Sequence, residues 1–252
     1  MGEIVSIVSG KGGVGKTTLC TCLAFSLVFS GKKVLCIDGD KGLKNLDLLL
    51  GMESMTVFDL SDVLEERVTL KKALVAHTSC PNLQLLSAAH DYNEVIDPEK
   101  LRALCERVRP QYDFILIDAP AGIGEGFSCA VYASDRSIVV ATPDITSVHD
   151  AERTAGLIFE KRNMPVHLVI NRIRPVLMEK GEMNNIDEIM DRIGVPLLGM
   201  IPEDEQVIIG ANRFDRLLKS KTVSAEPFRN VAARLCGAQK PLARLWKRYA
   251  KR

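Results

Sequence analysis

The run Gly10-Lys11-Gly12-Gly13-Val14-Gly15-Lys16-Thr17-Thr18, placed directly after the apolar stretch Ile4 to Val8, constrains this chain more than any other feature. Glycines at this spacing let consecutive backbone N–H groups curl around a phosphate, while the dipole of the helix that follows points at it. Strand, loop and helix come in the order that this chemistry needs. A plain Gly-rich turn requires neither Lys16 nor Thr17. A nucleotide site requires both, Lys16 to meet the β- and γ-phosphates and Thr17 to ligate Mg²⁺. Lys11 sits too early in the loop to serve the same phosphate as Lys16. Pointing out of its own site, it could neutralise charge on a nucleotide held by a second subunit, as an arginine finger supplied in trans does. The plainer alternative for Lys11 is a solvated loop lysine.

Seven apolar, β-branched runs alternate with helical patterns: Ile4 to Val8, Val34 to Ile37, Leu83 to Leu86, Phe114 to Ile117, Ser137 to Ala141, Val166 to Ile170 and Leu197 to Met200. Near-continuous apolarity is what strands buried on both faces show. The expected fold is α/β, a doubly wound and mostly parallel sheet flanked by helices. Ligands in such folds sit at the carboxyl ends of the strands, and acidic residues fall there. Val34 to Ile37 runs into Asp38-Gly39-Asp40, and Phe114 to Ile117 runs into Asp118-Ala119-Pro120-Ala121-Gly122. A helix N-cap is the alternative reading of Asp118. Asn171-Arg172 and Pro202-Glu203-Asp204 follow two further strands, where a turn or a cap would explain either one.

The heptapeptide Lys-Gly-Gly-Val-Gly-Lys-Thr at residues 11–17 resembles the deviant phosphate loop of the ParA/MinD ATPases. That resemblance implies ATP and Mg²⁺ as ligands and a homodimer formed around two ATP molecules, with Lys11 crossing the interface. It implies that Asp118 is the Walker B aspartate supporting Mg²⁺ and that the N–H of Gly122 senses the γ-phosphate. Asp40, in switch I, would orient or deprotonate the attacking water. Asp38 would support Mg²⁺ or the switch through hydrogen bonds, or be purely structural. Asn171, Arg172, Pro202, Glu203 and Asp204 would hold the adenine. Asp40 to Gly51, Asp118 to Ile123 and Ile201 to Asp204 resemble more closely the septum-site-determining branch of the family. This closer likeness implies a division inhibitor of the MinC type as partner, and a stimulating regulator of the MinE type or an equivalent. The likeness extends from the first strand to about residue 210.

Charge adds a second constraint. The formal net charge is +1, yet no acidic residue lies beyond Glu226 and eight of the 33 basic residues do, which leaves 25 basic against 32 acidic before it. Leu242, Leu245, Trp246 and Tyr249 recur at i, i+3, i+4 and i+7, while Arg244, Lys247, Arg248 and Lys251 fall on the opposite helical face. A short basic amphipathic helix with aromatic residues on its apolar side fits an interfacial membrane anchor. A last helix docked on the body, a disordered basic tail and a DNA-binding tail are the alternatives. A DNA-contacting tail needs charge but no ordered apolar face, so lipid is favoured over DNA. The expected division is residues 1–237 as the ATPase domain and 238–252 as the anchoring tail.

No apolar run approaches the roughly 20 residues needed to span a bilayer, and no basic segment followed by an apolar one opens the chain. The expected location is cytoplasmic, and peripheral on the cytoplasmic face of the membrane. Seven cysteines without a Cys-x-x-Cys pair argue against a disulfide framework and most zinc sites, and are expected to be small buried apolar residues. Rival expectations are a ParA-like or flagellar-number ATPase positioning DNA or another cargo, an iron–sulfur carrier on the same fold, and a scaffold that binds ATP without turnover. An iron–sulfur carrier would need cysteines facing each other across a dimer, and only Cys129 lies shortly after the second acidic loop. Retention of Asp40 and Asp118 argues against the scaffold.

Overall fold

The computed structural model describes residues 2–42, 44–91, 95–210, 213–219, 223–240 and 242. The eight strands are β1 (Glu3–Val8), β2 (Val34–Asp38), β3 (Val75–His77), β4 (Cys80–Leu86), β5 (Phe114–Asp118), β6 (Arg136–Ala141), β7 (Val166–Ile173) and β8 (Leu197–Pro202). They form one sheet in the order β3-β4-β2-β5-β1-β6-β7-β8. All neighbours pair in parallel except β3, which lies antiparallel on β4 at the edge.

The expected doubly wound sheet is therefore present, with one strand more than its apolar runs announce. β3 is three residues long and half exposed, so it carries no apolar run to betray it. It exists because the β4 edge offers unpaired backbone groups.

The helices cover both faces. They are α1 (Lys16–Phe29), α2 (Asn45–Leu50), α3 (Leu60–Leu64), α4 (Leu70–Ala73), α5 (Pro98–Val108), α6 (Glu125–Ala133), α7 (Ile145–Lys161), α8 (Pro175–Glu179), α9 (Ile186–Ile193), α10 (Glu205–Ile209), α11 (Phe214–Lys219) and α12 (Glu226–Leu235). Side chains alternate across each strand, so Ile4 and Val8 of β1 join one core layer while Val5 and Ile7 join the other. The first layer packs under α5, α6 and α7, with Phe127 and Ile158 fully buried, and the second under α1, α11 and α12, with Phe25, Phe214 and Phe228.

Register decides what meets at the carboxyl ends. Ile7 of β1 pairs with Asp118 of β5, and Asp38 of β2 pairs with the same Asp118. Two acidic residues separated by 80 positions thus become neighbours beside the loop that follows β1.

Six of the seven cysteines are buried as expected; Cys236, just beyond α12, is exposed. Among the described residues no helix is long and apolar enough to cross a membrane. Of the predicted tail, Pro241, Arg244, Leu245, Trp246, Lys247, Arg248, Tyr249 and Lys251 lie outside the described residues. Leu242 is half-buried against the first core layer. The chain is guided there by Arg234, whose guanidinium donates to the carbonyls of Lys240 at 2.7 Å and Leu197 at 2.9 Å.

Candidate functional site: a phosphate loop beside two acidic strand ends

The loop between β1 and α1 turns through two left-handed glycines, Gly13 (φ 79°) and Gly15 (φ 95°). Gly15 is the residue immediately before α1, and a Cβ on it would lie 2.4 Å from Asn171 Nδ2. Only glycine meets both demands. Ser9 Oγ donates to the Lys11 carbonyl at 2.7 Å, and Asn171 Nδ2 donates to the Val14 carbonyl at 2.8 Å. The loop is therefore held by hydrogen bonds from within it and from β7.

Lys16 is buried at 7 % exposure, close enough for its charge to pull down the pKa of both Asp40 and Asp118. Asp118 is 1 % exposed, and its Oδ1 has no hydrogen-bond partner. Burial pushes its carboxyl up to about 7, against the pull of the Thr17 hydroxyl and the Lys16 ammonium. A buried carboxylate oxygen with nothing to bind, beside a threonine hydroxyl, is the donor chemistry that a hard divalent cation takes. Among the described residues no group of three or more His, Cys, Asp or Glu side chains gathers as a complete metal cage. The residues present therefore fit Mg²⁺ that completes its shell with phosphate oxygens and water, as this ion ordinarily does.

Asp38 is also buried, and burial followed by the charge of Asp118 raises its pKa well above the usual carboxylate range. Its two oxygens accept the backbone N–H of Asp40 at 2.9 Å and of Leu46 at 3.3 Å. These hydrogen bonds tie Asp38 to the loop that carries Asp40. Asp40 is half-buried, its pKa raised by burial.

Other predicted residues land differently from the simplest reading. Asn171 and Arg172 do not follow a strand but lie inside β7, where the pairing with β8 shifts between Ile170 and Ile173. Arg172 adopts a left-handed backbone (φ 54°), which opens the strand there. Pro202 is likewise the last residue of β8. Asp204 caps α10 by accepting Gln206 N–H at 2.9 Å and holds Ser224 Oγ at 2.7 Å, so its carboxylate builds the wall of the site. Glu203 pairs with Arg174. With Gly15 and Thr18 these five predicted residues line a cavity of 360 Å³, closed by Phe214 and Phe228. The two phenylalanines are signalled by nothing local in the sequence; tertiary packing alone brings them in.

Gly122 has the positive φ (88°) of a switch turn, but its N–H, expected to face the γ-phosphate, donates instead to the Ser9 carbonyl at 3.0 Å. Lys11 points out of the loop. Its Nζ donates to Thr146 Oγ1 at 2.8 Å and lies 3.3 Å from Asp144 Oδ1, at the start of α7.

The CobQ/CobB/MinD/ParA nucleotide binding domain matches residues 5–217. The septum site-determining protein MinD of Helicobacter pylori is 40% identical over 247 residues, covering 95% of this chain and 92% of that one. Among solved structures, that of the MinC:MinD cell division protein complex of Aquifex aeolicus superposes with a TM-score of 0.88 at 40% identity, covering 96% of this chain and 98% of that one. The septum site-determining protein MinD of Pyrococcus horikoshii complexed with Mg-ADP superposes with a TM-score of 0.82 at 32% identity, covering 95% and 100%.

Proposed function

We propose, because the chain belongs to the CobQ/CobB/MinD/ParA nucleotide-binding family and within it to the MinD septum site-determining proteins, that it is an ATPase whose nucleotide-driven dimerisation controls membrane residence and division-site placement. The observation that carries the reading is the convergence of Lys16, Thr17, Asp38 and Asp118 at the ends of three adjacent strands, with one buried Asp118 oxygen unsatisfied. The loop from Gly10 to Thr18 and Lys16 hold the phosphates, and the cavity between Asn171 and Asp204 takes the base. Thr17 and Asp118 would hold Mg²⁺, and Asp38 would support the ion or, through its hydrogen bonds, the neighbouring loop. Bound there, the ion would neutralise phosphate charge that otherwise repels an incoming nucleophile.

Asp40 is the group that orients or deprotonates the attacking water. Burial raises its pKa, against the pull of the Lys16 ammonium, which favours a carboxylate acting as a base. Lys11 leaves its resting contact with Asp144 and Thr146 and reaches a nucleotide on the second subunit, which supplies positive charge in trans. A Lys11→Ala chain that still dimerises with ATP and hydrolyses it like the parent overturns this role.

The tail at 238–252 follows the ATPase domain at 1–237 and anchors the dimer on an anionic surface. A helix of about 12 residues is marginal in water and folds as it binds. Each lysine or arginine near the leaflet adds about 1 kcal/mol, so one tail binds weakly, whereas two in a dimer gain roughly 100-fold in avidity. A relative solved as a MinC:MinD complex supports a division inhibitor of that type as partner, and a separate regulator stimulates turnover.

Vesicle co-sedimentation tests the whole reading. The full chain should pellet with phosphatidylglycerol vesicles in ATP and not in ADP, and a chain ending at Lys240 should stay in solution. Absence of pelleting in every nucleotide state overturns the anchor, and ATP-dependent binding to duplex DNA in its place would favour a ParA-like cargo system.

A further inference from the structure

The segment that carries Asp40 is tied to residues far downstream at three points. The Gly42 N–H donates to the Ala89 carbonyl at 3.1 Å, Lys44 Nζ lies 2.7 Å from His90 Nε2, and Ser87 Oγ donates to Asp47 Oδ2 at 2.5 Å. All three partners belong to the short segment that leaves β4. Behind it stands Asp59, 4 % exposed, whose Oδ2 accepts both the backbone N–H (2.9 Å) and ring Nδ1 (2.6 Å) of His90. Its Oδ1 accepts Ser61 Oγ at 2.6 Å and the Asp62 N–H at 3.1 Å, which caps α3.

These partners dictate the state of the ring. A carboxylate can only accept, so Nδ1 carries the proton; an ammonium can only donate, so Nε2 offers its lone pair. The two ring nitrogens of His90 thereby join an anchored acid to Lys44, the residue immediately before α2. Lys44 itself holds a left-handed backbone (φ 46°), a conformation a non-glycine residue keeps only when its surroundings impose it. We infer that Asp59, His90 and Lys44 form a latch, with His90 a positioning residue that sets the loop bearing Asp40 for hydrolysis. The inference rests on the ATPase reading above and assigns no contact between His90 and substrate.

Two side chains of different reach separate this role from simple support of α3. His90→Asn keeps a donor at the δ position for Asp59 but ends short of Lys44, whereas His90→Gln carries a carbonyl out to where Nε2 stood. Steady-state hydrolysis of Mg·ATP should show kcat lowered about fivefold in His90→Asn with KM and nucleotide affinity unchanged, and kcat close to that of the parent in His90→Gln. Lys44→Met should match His90→Asn, and the double variant should lose no more than either alone. Amide exchange at Gly42 and Leu46 should quicken in His90→Asn and Lys44→Met without change in the melting temperature.

Equal kcat in parent and His90→Asn overturns the latch while leaving the ATPase reading intact. So does a loss confined to His90→Gln, which would assign the ring to α3 alone. A parent chain that binds Mg·ATP but never hydrolyses it overturns the ATPase reading, and the latch with it.

Discussion

The loop after β1 and the loop after β2 flank the same phosphate site, yet they reach their conformations by opposite means. In the first, the left-handed positions are glycines, Gly13 and Gly15, so the turn is encoded where it occurs. In the second, one left-handed position is Gly42 and the other is Lys44, and the loop is held by Asp38 from below and by Ala89, His90 and Ser87 from the side. The first takes its turn from glycines within the motif itself, with Asn171 of β7 bracing it through one hydrogen bond to the Val14 carbonyl. The second is a tertiary construction, and a loop maintained by separable hydrogen bonds is one that can be rearranged as nucleotide state changes.

The sharpest way to test that contrast is to remove chemistry without altering either backbone. Lys16→Ala should lower kcat by about 100-fold or more, and Asp118→Asn by a similar factor, because each removes a charge from the proposed phosphate and cation site. Both variants should keep the parent's circular dichroism spectrum. If Asp118→Asn retains Mg²⁺-dependent turnover, the assignment of that carboxylate fails.

Next come the two glycines themselves. Gly15→Ala must accommodate a Cβ 2.4 Å from Asn171 Nδ2 as well as a positive φ, whereas Gly13→Ala meets nothing within 4 Å. Gly13→Ala should therefore show the backbone cost alone, about 1 kcal/mol, and Gly15→Ala about 2 kcal/mol beyond that with a weakened base site, since the same Asn171 lines it. Denaturant melts and nucleotide titrations of both variants rank them, and equal costs would show that Asn171 does not brace the loop.

The smallest effect concerns the support of the second loop, and it depends on pH. Burial alone would raise the Asp59 pKa; hydrogen bonds from Ser61, His90 and Asp62 reverse this and bring it down to about 2. A carboxyl whose folded pKa lies below its unfolded value of about 3.9 contributes stability above pH 4 and loses it as pH falls toward 2. Asp59→Ala should cost about 2 kcal/mol at pH 7, and the gap between variant and parent should close across that acid window. A gap that stays constant from pH 7 to pH 2 would mean the cap carries no ionic component.

Much of the site was legible in order of sequence. Asp38 and Asp118 each follow four apolar residues, and that position is where a buried parallel strand must end at the site. The five residues expected around the base all line one cavity. Their exact relation to the strands was not legible: β7 continues through Asn171 and Arg172 because a left-handed Arg172 bends it, and no apolar pattern records a bend. Asp204 lines that cavity and also caps α10, a role that its position one residue before the helix does encode. β3, Phe214, Phe228 and the Asp59–His90–Lys44 chain left no local signal, since each depends on what the sheet places beside it.

What the sequence determined by itself is the chemistry that needs only neighbours along the chain: a phosphate loop, its glycines, its lysines, and acidic residues at the tips of apolar strands. Tertiary structure alone decided which tips touch. Asp38 and Asp118 face each other because β5 inserts between β1 and β2, and strand order is set by how helices bury the two faces of the sheet. The same packing leaves one Asp118 oxygen buried without a partner, and a buried, unsatisfied charge makes a site only once the fold has excluded water from it.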